Sequence, residues 1–304
     1  CCTNPYLRSM NIRQQLLTLV FATTFTAVAH AQTDSLLYRV FDTQAEKEIS
    51  LSELVGSLQH TDVLFFGEEH NDSVAHALQY DVLKAMDERY ETVALSMEML
   101  VSDDQLVLNE YLGGLITERN FSKDAVLWNN YADYRPAVEY AKAHQLNVLA
   151  ANAPSRYTNR VTREGLRSLD TLDEAAKMLL APLPIDTLTG PYYEKFNGLM
   201  GEHGSGMANM KIYQSQNLWD ATMAYRISQL AKRTPAVKIL HLNGRFHSDE
   251  KLGTIAQLAK YAATLRVKNI SCFPHEGFDK PQWETFRHLG DYVIITNPDV
   301  KRTF

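Results

Sequence analysis

The stretch Val63-Leu64-Phe65-Phe66-Gly67-Glu68-Glu69-His70 decides the fold. Four apolar residues run straight into a glycine and then into charge. So short and apolar a run reads as a strand covered on both faces, and the abrupt change marks its carboxyl end. The pattern recurs along the chain. Val93-Ala94-Leu95-Ser96-Met97 ends at Glu98, Val148-Leu149-Ala150-Ala151 at Asn152, and Ile239-Leu240-His241-Leu242 at Asn243-Gly244. Ile270-Ser271-Cys272-Phe273 ends at Pro274, and the run from Tyr292 to Ile295 stops before Asn297-Pro298. Between these runs apolar residues fall three and four apart, as in Ala75, Leu78, Val82, Leu83 and Met86, in Val138 and Ala141, and in Ile255, Leu258 and Ala262. Strands alternating with helices predict an α/β fold, a mostly parallel sheet flanked by helices on both faces. Residues 34–50 are expected to add a short edge hairpin. From about 156 to 232 the alternation fails, and this segment reads as a helical insertion or lid with a turn-rich middle from Pro182 to Gly206.

In an open parallel sheet, ligands bind beyond the carboxyl ends of the strands. There this sequence places Gly67-Glu68-Glu69-His70, then Glu98, then Asn152, then Asn243-Gly244 with His247 three residues on. Carboxylates and imidazoles converging on one rim make either a metal site or an acid–base site. Asn71 and Asp72 are placed to cap the following helix, which leaves Glu68 and His70 free of that duty. Glu98 stands inside an apolar run, and a charge there needs a partner. His76 reads as an ordinary core histidine. His70 and His76 lack the i, i+4 spacing of a helical zinc pair, and there is neither a nucleophile elbow nor a phosphate loop.

The insertion has a different character. Tyr192, Tyr193, His203 and Tyr213 sit among Met200, Met207 and Met210, with Gly201, Gly204 and Gly206 interspersed. Imidazole, phenolate and thioether are all ligands of haem iron, and methionines suit a large flat apolar ligand. Single aromatic residues in such a segment equally serve to pack it onto the domain. Gln216, Asp220 and Met223 share one helix face.

Met10-Asn11-Ile12-Arg13, the uncharged run from Leu16 to Val28 and Ala29-His30-Ala31 have the order of a secretory signal, with Gln32 as the expected first mature residue. Residues 1–9 read as an upstream extension. The domain expectation is therefore 1–31 for extension and signal, and 32–304 for a single exported domain, periplasmic or secreted. No cysteine stands at Ala31/Gln32 to accept a lipid, so the signal does not support membrane attachment. Of the 304 residues, 45% are hydrophobic and 22% charged, ordinary shares for a globular protein. A net charge of −6 with no basic run argues against nucleic acid as partner. Cys272 is the lone cysteine after Ala31, which excludes an internal disulfide and a cysteine-built zinc site.

Several stretches together resemble the ChaN-like haem-binding proteins of bacterial envelopes. They are Leu64–His70, Leu95-Ser96-Met97-Glu98-Met99, Asn129 through Tyr134-Arg135-Pro136, Val148 through Ala153-Pro154-Ser155-Arg156, and Gln216-Asn217-Leu218-Trp219-Asp220-Ala221-Thr222-Met223-Ala224. The resemblance covers most of the chain after the signal. It implies an α/β fold, haem as cofactor, a place in iron or haem acquisition, and homodimers that stack haems between protomers. It also implies a tyrosine on the iron, a role for which Tyr192, Tyr193 and Tyr213 compete, beside His203. Where the family has Gly-x-Gly-His, this sequence has Gly244-Arg245-Phe246-His247. The Gly-Glu-x-His signature is also similar to one in esterase-like and metalloprotease-like proteins. Two expectations follow: an exported haem-binding protein, or a metal-dependent hydrolase with Glu68, His70, Glu98 and His247 around a divalent ion.

Overall fold

The computed structural model describes residues 37–200 and 207–304, with the side chains of 207–210 outside that description. The signal expected before Gln32 lies outside the described residues, as do His203, the three insertion glycines and the side chains of Met207 and Met210. Eight strands form one sheet: β1 (Tyr38–Asp42), β2 (Lys47–Ile49), β3 (Val63–Glu68), β4 (Val93–Val101), β5 (Asn147–Asn152), β6 (Lys238–Gly244), β7 (Val267–Pro274) and β8 (Tyr292–Thr296), in the spatial order β2-β1-β8-β7-β3-β6-β4-β5. The six strands read from apolar runs are all present and mutually parallel. The edge hairpin is present as well, β1 pairing antiparallel with β2 and with β8.

Ten helices accompany the strands among the described residues: α1 (Leu51–Gly56), α2 (Ser73–Arg89), α3 (Gln105–Leu112), α4 (Glu118–Asp124), α5 (Tyr131–Ala143), α6 (Ser155–Glu164), α7 (Glu174–Lys177), α8 (Pro191–Met200), α9 (Met207–Arg233) and α10 (Gly253–Tyr261). Strand β3 shows why the sheet is covered twice. Leu64 and Phe66 face a core shared with Leu78, Val82 and Val138 of α2 and α5. Val63 and Phe65 face the opposite core, with Met223, Ala224 and Ile227 of α9 and Leu258 of α10. Each such side chain, once buried, stabilises the fold by about 1.5–3 kcal/mol before entropy is counted. Helix α2 starts where the sequence places it, with the Asp72 carboxylate accepting from the backbone N–H groups of Val74 and Ala75. The segment 156–232 carries no strand among the described residues, but α9 is a full layer of the fold rather than a lid.

The topology fixes where the strand ends meet. The chain moves outward from β3 to β4 and β5, returns to lay β6 between β3 and β4, and then crosses to β7 on the far side of β3. The carboxyl ends of β3, β4 and β6 thus adjoin at the reversal, the place where an open α/β sheet leaves a crevice. In register, Glu68 of β3 stands beside Gly244 of β6.

Candidate functional site

Glu68 is the centre of the β3 end. Its carboxylate is buried and accepts from His70 Nδ1 at 2.9 Å, from Tyr134 Oη at 2.5 Å and from Gln79 Nε2 at 2.6 Å. His76 Nε2 approaches the same carboxylate at 3.2 Å. Burial alone would raise the pKa of this carboxyl, yet the donors from His70 and His76 outweigh it and hold the group below its ordinary value. Glu68 is therefore an ionised anchor to which three neighbours donate. Its consequence is the pose of His70. With Nδ1 donating to Glu68, the ring presents an Nε2 lone pair that receives no hydrogen bond among the described residues. Burial works against a charged His70, but the bond to Glu68 and the charge of Glu98 prevail and raise its pKa.

The β4 and β6 ends supply a second carboxylate–imidazole set. Glu98 accepts the backbone N–H of Gly244 at 2.7 Å and lies 3.5 Å from His247 Nε2. The other ring nitrogen of His247 donates to Asp220 of α9 at 2.7 Å. Asp220 is wholly buried and also accepts from Tyr192 Oη at 2.6 Å and Thr254 Oγ1 at 2.8 Å. Burial opposes the imidazolium of His247, but the two carboxylates outweigh it and push its pKa up to about 9. At neutral pH His247 is a cation. Behind it His241, donating or accepting only with Ser96, is pushed down to about 3 by burial and by the charge of His247, so it is neutral.

Two glycines make this packing possible. A Cβ on Gly67 would fall 2.8 Å from the Arg245 backbone, and one on Gly244 would fall 2.5 Å from His70 Nε2. Gly244→Ala is thus expected to displace the His70 ring. Urea denaturation should show a loss of about 1–3 kcal/mol, the usual range for overpacking; a stability equal to the unaltered protein would contradict this geometry.

A cleft of about 560 Å³ opens over these groups. Glu68, His70, Gly244 and His247 form its floor, Phe196, Leu199 and Phe246 an apolar wall, and Lys195 and Arg245 bring positive charge to it. The four strand-end residues singled out in the sequence are thus brought together. They do not converge on one point, however. Among the described residues no three His, Cys, Asp or Glu side chains are grouped so as to hold a metal ion. The reason is visible in the bonds: Glu68 faces its three donors with His76 alongside, and Glu98 and Asp220 face His247.

The tyrosines of the insertion lie behind the cleft, Tyr192 joined to its floor through Asp220 and His247. Tyr192 and Tyr213 are buried with Phe196 in a small aromatic core behind the cleft wall, and Tyr193 packs edge-on to Tyr213. The Tyr213 hydroxyl donates to the Leu188 carbonyl, and burial pushes its pKa up to about 12. Burial and the neighbouring Asp220 push Tyr192 higher still. Both are neutral phenols in this structure. Asn152, at the end of β5, folds back to accept from the N–H of Ala153. Sequence reasoning missed Tyr134, Gln79, Lys195 and Thr254, and took His76 for a plain core residue. A hint lay in α2, where His76 and Gln79 interrupt an otherwise apolar buried face at i, i+3 spacing.

With this geometry in view, the comparisons with known proteins can be read. The family model for haem-binding uptake proteins, Tiki superfamily, ChaN, matches residues 54–258, more than half of the chain. The chain belongs to this family. The matched span runs from α1 into α10 and includes Glu68, His70, Glu98, Asp220 and His247. Among solved structures, ChaN of Campylobacter jejuni, described with cofacially bound haem, is similar over 86% of this chain and 97% of its own, with a TM-score of 0.66 and 17% identity. An erythromycin esterase EreC mutant in its open conformation follows at a TM-score of 0.47 and 13% identity, over 78% of this chain and 77% of that one. The type III effector HopBA1 has a TM-score of 0.46 and 13% identity, over 81% and 93%. The likeness to the Campylobacter protein speaks to the fold. No curated protein matches the chain by sequence.

Proposed function

We propose that this ChaN-family protein binds haem in the strand-end cleft and, as an exported protein, takes part in iron or haem acquisition. The observation that carries the reading is His70, whose Nδ1 is anchored on a buried carboxylate and whose Nε2 is left unbonded at the cleft. A carboxylate behind an imidazole is the arrangement that orients histidine ligands and raises their basicity. The residues fit the group in two further respects. Phe196, Leu199 and Phe246 offer apolar surface to a macrocycle, and Lys195 and Arg245, held by Glu250 and by Glu69 and Asp249, would exchange those partners for its propionates. The cleft volume lies within the range of small-molecule and cofactor sites. In this reading His70 would hold the iron, in place of the tyrosines and His203 expected from the sequence, and bound haem supplies a redox-active iron. Homodimers are part of the proposal, as the family resemblance implies. The test is a titration of the purified chain from Gln32 with hemin, followed in the Soret region. Saturation with a shifted band at one haem per chain is expected; a non-saturating drift would overturn the reading.

One observation favours a second reading, hydrolysis. His247 is a buried cation between two carboxylates, whereas His70 carries an unbonded lone pair on the same cleft floor. Groups so separated in environment suit an acid and a base. His70 Nε2 would take a proton from water, and His247 would give one to the leaving group. A p-nitrophenyl ester panel, with His247→Gln and Glu98→Gln beside the unaltered protein, tests it. Turnover lost in both variants supports it; turnover equal in all three sinks it.

A further inference from the structure

The exposed edge of the sheet carries an unusual cover. Strand β5 is the last strand on its side, and its free backbone groups are met by side chains instead of a ninth strand. Gln105 donates to the Val148 carbonyl at 2.9 Å and accepts from the Ala150 N–H at 2.9 Å. Arg226 of α9 donates from Nε to the Ala150 carbonyl at 2.8 Å and from Nη2 to Gln105 Oε1 at 3.1 Å. This blunts an edge that would otherwise invite pairing with another chain. Both acceptors of Arg226 are neutral. Among the described residues it makes no ion pair, the separation for one being 4.0 Å or less.

A cavity of about 680 Å³ opens over this guanidinium, well away from the strand-end cleft. Leu149, Met178, Pro182, Leu183 and Tyr225 form the apolar part of its lining, the rest being polar, with Lys177 and Gln229 among it. Arg233, two turns along α9, adds a second positive charge, while the rim acid Glu174 is held by Lys177 at 3.0 Å. Burial and the charge of Arg233 together lower the pKa of Arg226 to about 10. Covering the edge needs only neutral donors, so the charge of Arg226 is an uncompensated cost that an entering anion would remove.

We propose that this cavity is a second binding site, selective for a singly charged carboxylate on an apolar body, an aromatic or medium-chain aliphatic acid. Arg226 receives the carboxylate, Tyr225 and Met178 flank the apolar part, and Arg233 stands at the mouth. Asp170 and Glu174 on the rim disfavour a dianion. The site does not depend on the haem reading, because it shares no residue with the strand-end cleft.

The test is calorimetric titration of the full chain with 4-phenylbutyrate and decanoate, beside 4-phenylbutanol, decanol and phenyl phosphate. Saturable binding of the two acids at one per chain is expected, with the alcohols weaker by at least about 10-fold for want of the charge-assisted bond. Arg226→Gln retains donors for the edge and should lose the same factor. His70→Ala should leave acid binding unchanged. Acids and alcohols binding alike, or a phosphate preferred to the acids, would overturn the proposal. Should Arg226→Gln not fold, phenylglyoxal modification of the unaltered chain decides. Protection of Arg226 by saturating 4-phenylbutyrate supports the site, and modification at an unchanged rate overturns it.

Discussion

His70→Ala is expected to weaken hemin binding by about 100-fold or more, since loss of a partner merely behind a metal ligand already costs roughly 10–100-fold. Among the described residues, His70 Nε2 is the one unbonded ring nitrogen in the Glu68–His70 and Glu98–His247–Asp220 set. Glu68→Gln should act through His70 and weaken binding by about 10-fold, because an amide holds the ring without raising its basicity. Tyr213→Phe should change affinity by less than about two-fold, since its hydroxyl bonds the Leu188 carbonyl away from the ligand, whereas Tyr192→Phe removes a donor from the Asp220 that orients His247 and should have the larger effect of the two. The sign of the pH dependence follows from the raised pKa of His70. Its proton competes with iron, so affinity should climb as pH rises through that pKa and should lose this slope in His70→Ala. A Soret titration of the four variants at several pH values checks all of this. Loss of binding in Tyr213→Phe with His70→Ala unaffected would return the iron to the insertion.

How much of this was legible in the sequence depends on where each residue sits in its element. Glu68, His70, Glu98 and His247 stand at strand ends, where an apolar run breaks into charge, and that punctuation is a local signal. Their convergence follows from the strand order, in which β6 returns between β3 and β4. Tyr134 and Gln79 are different. Both lie on helices, and whether such a side chain reaches Glu68 depends on how α2 and α5 lie across the sheet, which periodicity does not encode. Asp220 illustrates the same limit. Spacing placed it on one face with Gln216 and Met223, and the packing of α9 against β5 and β6 turned that face inward. For the tyrosines of the insertion, composition left two readings open. Tyrosine, phenylalanine and methionine build a buried aromatic core and a haem pocket equally well, and only the bonds of Tyr192 and Tyr213 distinguish the two. The divalent site expected of the four strand-end residues failed for a geometric one: each carboxylate points at an imidazole instead of at a shared centre.

His247 should make the stability of the whole domain fall as pH rises from about 6.5 to 9. Its pKa is near 6.5 in the unfolded chain and about 9 in the folded one. A group whose folded pKa is raised contributes fully below the unfolded value and loses its contribution as pH passes through the folded value. For this shift the contribution is of the order of 3 kcal/mol. His70, also raised, adds a smaller slope of the same sign. Cys272, whose thiol burial holds neutral, adds another only where an unfolded thiol ionises, near the top of the window. His241, whose folded pKa is lowered first by burial, gives an opposing slope where its unfolded imidazole titrates, near 6.5 and below. The difference between the unaltered protein and His247→Gln isolates the wanted part, because that variant keeps His70, Cys272 and the burial of His241. Urea denaturation at pH 6.0, 7.5 and 9.0 should give curves that diverge at pH 6.0 and converge by pH 9.0. Asp220→Ala should be the costliest single change at this site. It strips three donors, His247, Tyr192 and Thr254, of a common acceptor and leaves a buried cation with Glu98 at 3.5 Å as its remaining partner. Breaking a buried pair from one side costs about 3–5 kcal/mol. That loss should be largest at low pH, where His247 must otherwise carry its charge, and smaller at pH 9.0, where the ring can shed its proton. Parallel pH curves for the unaltered protein, His247→Gln and Asp220→Ala would mean that His247 is neutral in the folded state, and the acid assigned to it in the hydrolytic reading would fall with that charge.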